Sequence, residues 1–240
     1  MKKLFTLFAI ICFLGVPAIQ AQDEDYKDLL FLIIDGDLEK AVNKAEKFTE
    51  NDKTKRDPVP YVYLSMAYFE ISKREDMRED YPRAFREAIK NASKFARYDK
   101  ENEYSSEFEN YLSELKLEIM REARYYYEQE NWRRSITYSK YITRIDPNDL
   151  AALLMKGVAE VKSRNEYQAK TTFEEAETVL EGFSPQKLKN DESAQLRYSI
   201  IEYAKLMKQN GTKDKAAPFL AMGEDAFDGD PEFSQFMTAF

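Results

Sequence analysis

A repeating spacing of small residues constrains this chain more than any other feature. Gly157 is followed twelve residues on by Ala169, four later by Phe173 and three later by Ala176. Subtracting 34 from each position gives Ala123, Ser135, Ser139 and Ile142, so six of these eight residues are small. The 12-4-3 spacing recurs as Leu29, Ala41, Ala45, Phe48 and as Ala204, Ala216, Leu220, Gly223. A further copy, Ser65, Ala84, Ala88, Asn91, carries seven extra residues in its turn. Residues four and seven apart share one helix face, and antiparallel helices approach closely only where one presents a small residue to the other. Each such hairpin keeps an apolar face that only a neighbouring hairpin can cover, so the units must stack.

The rest of the chain agrees. From Asp25 onward apolar residues recur at three and four positions rather than in alternation, which predicts an all-α chain. Breakers fall at Asp35-Gly36-Asp37, Asp57 to Pro60, Tyr81-Pro82, Asp146-Pro147-Asn148, Gly182 to Pro185, Gln209 to Thr212 and Gly229 to Pro231. The intervening segments have the length of helices joined by short turns.

The period of 34, with Tyr126, Trp132 and the closing Asp146-Pro147-Asn148, resembles the tetratricopeptide repeat. The resemblance is strongest over 116–183, moderate over 25–56 and 192–225, and weakest over 58–98. It implies a right-handed superhelical stack of antiparallel hairpins, an α-solenoid of four to five units near 22–56, 58–98, 116–149, 150–183 and 192–225. Two insertions interrupt it: Asp99 to Leu115 fits no unit, and Glu181 to Ser193 lengthens the step from Ala169 to Ala216 to 47. In the resembled family the first helix of each unit lines a concave face that takes peptides or partner segments. Matching positions here are Tyr26, Leu30, Val62, Met66, Phe69, Met120, Arg124, Tyr127, Val158, Val161 and Lys162. These are mostly apolar, which suits a hydrophobic peptide better than a charged terminus, since only Arg124 and Lys162 are cationic.

Absences narrow the function. The chain has no histidine, which removes Ser-His, Cys-His and His-metal chemistry. Its one cysteine, Cys12, lies in a segment expected to be removed, and the seven glycines spell neither a dinucleotide fingerprint nor a phosphate-cradling loop. The expectation is a non-enzymatic protein with no cofactor and no metal. Asp228, Asp230 and Glu232 do not make an EF-type calcium loop and instead mark a terminal turn before a short covering helix.

Lys2 and Lys3, the nearly uncharged run Leu4 to Val16, and Pro17 to Ala21 ahead of Asp23, Glu24 and Asp25 read in order as a secretory signal over 1–21. The apolar run is shorter than the ~20 residues that span a bilayer, so no stable transmembrane segment is expected after cleavage. Removing Lys2 and Lys3 leaves 34 basic against 44 acidic residues in 22–240, a balance that repels nucleic acid. The cluster Lys53, Lys55, Arg56 is flanked by Asp52 and Asp57 and reads as a solvated turn.

The expected function is therefore a periplasmic or secreted, envelope-associated scaffold or adaptor holding a protein or peptide partner in its groove. The alternative is a glycan-binding envelope protein that stacks sugars on exposed members of the aromatic set, which in all makes up 14% of the chain. A helical hydrolase built on a carboxylate pair is a third reading. Tyrosine-rich repeat surfaces also pair with copies of themselves, so a homo-oligomer is compatible with the same pattern.

Overall fold

In the computed structural model, residues 17–185 and 188–240 are described, with side chains from Tyr26 onward. The expected leader over 1–21 lies outside the described residues, apart from the backbone from Pro17 on. Every α-helix and 3₁₀ turn found among the described residues fits the all-α expectation, and none of the helices is long and apolar enough to cross a membrane. The chain divides into two compact units, one ending at Ser106 and the other Glu107–Phe240.

The first unit holds α1 (Pro17–Ile34), α2 (Leu38–Glu50), α3 (Val59–Ser72) and α4 (Ala84–Tyr98). Two hairpins, α1–α2 and α3–α4, pack so that α3 meets both α1 and α2. The second unit holds α5 (Glu109–Glu128), α6 (Trp132–Ile145), α7 (Leu150–Lys162), α8 (Glu166–Glu181), α9 (Asn190–Gln209), α10 (Ala217–Ala226) and α11 (Pro231–Ala239). Here α5–α6 and α7–α8 are hairpins, α6 packs on α7, and α9 lies chiefly on α7.

Four turns share one construction, and it explains why hairpins form at these places. Gly36, Glu130, Arg164 and Gly211 all have left-handed backbone. The next residue in each case donates its backbone N–H five residues back: Asp37 to Leu32, Asn131 to Tyr126, Asn165 to Glu160 and Thr212 to Met207, at 2.8–2.9 Å. This bond closes the carbonyl end of the first helix. The same residue then stands immediately before the second element, so a single Asp, Asn or Thr ends one element and starts the next. At Asn131 the cap is explicit, since its side chain accepts from Arg134 N–H. Glu130 and Arg164 lie one period apart, and Arg164 and Gly211 are separated by the lengthened step of 47.

The small residues form the contact lines between paired helices. Ala41, Ala45, Ala84 and Ala88 are buried in the first unit, and Ser65 Oγ donates to the Ala88 carbonyl across α3–α4 at 2.7 Å. In the second unit Ala123, Ser135, Ser139 and Ile142 are fully buried, as are Ala176 and Ala204. A methyl group added at Gly157 would fall 2.7 Å from Phe173 Cδ1 and 2.9 Å from Cζ. Phe173 thus occupies the volume a side chain at 157 would need, and it continues into Tyr203 at 4.8 Å and Phe219 at 5.0 Å from Tyr203.

Two boundaries differ from the sequence reading. The segment Asp99 to Leu115 is not one insertion, because α5 begins at Glu109 and its first two turns come from it. Asp99 organises the remaining connection by accepting from Tyr104 N–H at 3.3 Å and Ser105 Oγ at 2.6 Å. The last hairpin has a short second arm, a 3₁₀ turn Lys213–Ala216 running into α10. The terminal helix α11 behaves as read: Asp230 caps it, and Phe233 packs on Phe227 at 5.1 Å and against Gly223. Arg197 of α9 pairs with Asp230 and, at 2.8 Å, with Glu232, so these carboxylates serve structure.

Candidate functional site

Within each unit, most of the residues expected to line the groove are covered. In the first unit Tyr26, Val62 and Phe69 are buried; Tyr26 donates its hydroxyl to Asp57 at 2.8 Å and sets its ring edge-on to Phe48. Leu30 and Met66 are half-buried, and beside Leu30 on α1 the side chains of Phe31 and Ile34 are 61% and 69% exposed.

In the second unit the face made by α5 and α7 is covered by α9, which lies alongside α5 in the same direction. Ser113 of α5 donates to Glu192 of α9, Arg124 stacks over the Tyr198 ring at 3.9 Å, and Tyr127 donates to Glu202 at 2.9 Å. Lys162 at the end of α7 donates to Gln209 at the end of α9 at 3.3 Å. Met120, Tyr127 and Val158 are consequently buried, Arg124 and Val161 are half-buried, and only Lys162 is exposed. The tyrosines at this junction hold their protons well above the ordinary range: Tyr127 through burial and then the Glu202 charge, Tyr198 through burial and then Glu202 and Glu128. The positions named for the groove come from the resemblance, which says nothing of what lies against them, because α9 follows the 181–193 insertion.

One opening survives at the amino end of this three-helix layer. A half-enclosed cavity of about 160 Å³ lies between α5, the α6–α7 turn, α7 and α9. Leu117, Met120, Leu150, Phe183, Leu188 and Leu196 supply apolar walls. Its volume is close to the ~150 Å³ of an apolar cavity that admits a benzene ring.

The rim is charged. Lys116 bridges Asp146 at 2.6 Å and Asp149 at 3.2 Å. Burial alone would lower the lysine pKa, but the two facing carboxylates outweigh it and hold the ammonium above its ordinary value. Asp149 also caps α7 through Ala152 N–H at 3.0 Å, and Asp146 accepts from Asn148 N–H at 3.0 Å, which fixes the turn. On the α9 side Glu192 accepts the backbone N–H of Lys189 at 3.0 Å. The lining residue Gln195 has a buried Oε1 that accepts no hydrogen bond from any described residue. An acceptor in that state favours an incoming N–H. With three carboxylates against one ammonium, the rim favours a cationic neighbour.

Among the described residues no group of three or more acidic, histidine or cysteine side chains is placed to hold a metal ion. No family model, no curated protein and no solved structure matches this chain.

Proposed function

We propose that this chain is a non-enzymatic, exported scaffold or adaptor with tetratricopeptide-like hairpins, and that the α5–α7–α9 cavity takes one apolar anchor side chain of a protein or peptide partner. The observation that carries the reading is the combination in one half-open cavity of apolar walls, a ring-sized volume and the unpaired acceptor Gln195 Oε1. Together these suit a Leu- or Phe-sized side chain, a peptide N–H and an adjacent Lys or Arg facing Asp146 and Glu192.

The test uses the full chain and fluorescently labelled peptides in which a Leu or Phe precedes an Arg. Ala151, at the cavity wall, is changed to Phe to fill the space, and Gln195 to Leu to remove the acceptor. Peptides that bind the unaltered chain are expected to lose at least about tenfold in affinity with either change. Equal binding by Ala151→Phe sinks the proposal. A second reading, a glycan-binding envelope protein, draws on Tyr125 and Tyr167, which are 55% and 86% exposed. Oligosaccharides that raise the melting temperature through those two tyrosines, with no peptide response, would favour it.

A further inference from the structure

Opposite the peptide cavity, across the 146–149 turn, a second cleft lies between α6 and α8 and has the reverse electrostatic character. It has a volume of about 490 Å³ and is lined by Lys140 and Arg144 of α6, Lys156 of α7, Asn148 of the turn, and Glu175 and Thr178 of α8. Three cations thus face one carboxylate in a protein whose overall charge is −8. The helix responsible, α6, carries Arg133, Arg134, Lys140 and Arg144 and no acidic residue at all.

Most of the donors around this cleft are unspent. Among the described residues neither Lys140 nor Arg144 has an ion-pair or hydrogen-bond partner for its charged group; Arg144 approaches the Tyr141 ring at 5.9 Å. Lys156 keeps just 12% of its side chain exposed, and its ion pair with Glu175 is long, at 3.9 Å. Glu160, buried behind the cleft, accepts from Thr172 at 2.8 Å, and burial raises its pKa despite the nearby lysines. Asp146, on the same turn, is taken up by Lys116. A largely buried ammonium whose ion pair is this long has room for a closer acceptor, and desolvated cations gain most from a charge-assisted one.

We propose that the α6–α8 cleft binds a tetrahedral oxyanion, a phosphate or sulfate, through Lys140, Arg144 and Lys156. A dianion suits a cleft whose cations outnumber its lining carboxylate, and its several oxygens can meet donors arriving from two helices, α6 and α7. A carboxylate brings one charge and a planar pair of acceptors, so it is the poorer match.

The experiment follows the thermal unfolding of the full chain by Trp132 fluorescence at constant ionic strength. Sodium phosphate, sodium sulfate, O-phosphoserine, acetate and chloride are titrated in turn. Phosphate and sulfate are expected to give a saturable rise in melting temperature that acetate and chloride do not. Arg144→Gln and Lys140→Gln are each expected to weaken it about tenfold or more, whereas Arg133→Gln, on the same helix but outside the cleft, leaves it in place. The general salting-out effect of sulfate acts on all variants alike and subtracts out. Stronger binding of O-phosphoserine than of phosphate assigns the site to an ester, and equal binding to the free ion. A rise that chloride or acetate reproduces, or one that survives unchanged in both Arg144→Gln and Lys140→Gln, overturns the proposal.

Discussion

Replacing Gly157 by alanine tests the hairpin packing at its tightest point. The new methyl carbon would sit 2.7–2.9 Å from two atoms of the Phe173 ring, where carbon atoms prefer about 3.5–4.0 Å, so the ring must retreat by roughly 1 Å. Retreat is resisted because Phe173 is backed by Tyr203 at 4.8 Å, and Tyr203 by Phe219. Overpacking of this kind costs about 1–3 kcal/mol. Glycine to alanine inside a helix returns about 1 kcal/mol of propensity. The expected net loss is therefore roughly 1 kcal/mol for Gly157→Ala, rising to about 3 kcal/mol for Gly157→Leu. If the ring is the obstacle, Gly157→Ala in a Phe173→Ala background becomes stabilising by about 1 kcal/mol, a coupling of about 2 kcal/mol. Urea unfolding read by Trp132, the only tryptophan and one that lies in the second unit, measures all four corners of the cycle. The same shift for Gly157→Ala with and without the Phe173 ring would refute the packing argument.

Further outcomes follow from single groups. Ser139 and Ser135 are fully buried and their hydroxyls have no partner among the described residues, so Ser139→Ala is expected to raise stability by about 1 kcal/mol in the same urea assay. Gly36 has φ +78, and Gly36→Ala is expected to lower the stability of the first unit by about 1–2 kcal/mol, measured by circular dichroism. Burial, and secondarily the Glu177 charge, pushes Tyr203 up to about 12 from an ordinary 10.0. The folded state therefore keeps a proton that the unfolded chain releases, and this contribution is full below pH 10 and lost between pH 10 and 12. The raised Lys116 loses its contribution in the same direction as pH climbs, so Tyr203→Phe should flatten but not abolish the alkaline fall in melting temperature.

What the sequence could and could not disclose has a physical basis. The contact lines were legible because close approach of two backbones demands small residues at fixed intervals, as at Ala41, Ala88, Ala123 and Ala169. The turns at Gly36 and Gly211 announced themselves by glycine. Those at Glu130 and Arg164 did not, since a left-handed residue with a side chain leaves no compositional mark; the only clue was the Asn following each. The site was less legible. The resemblance singles out Met120, Tyr127 and Val158 on α5 and α7, but it does not say what lies against them. That depends on where α9 returns after an insertion, a long-range outcome of Tyr198, Glu192 and Glu202 meeting α5. The α6–α8 cleft escaped because its cations come from two helices and balance out in the overall charge.

The central claim is that α9 closes over α5 and α7 and that none of the three holds its apolar face without the others. Native-state hydrogen exchange on the full chain, compared with Leu196→Ala in the middle of the α5–α9 contact, tests it directly. Leu196 is buried, and its truncation is expected to cost about 2–4 kcal/mol and to lower the protection of slow amides in α5, α7 and α9 by the same free energy. If α9 loses protection while α5 and α7 keep theirs, α9 is an independent appendage, the inner face stands without it, and the account fails.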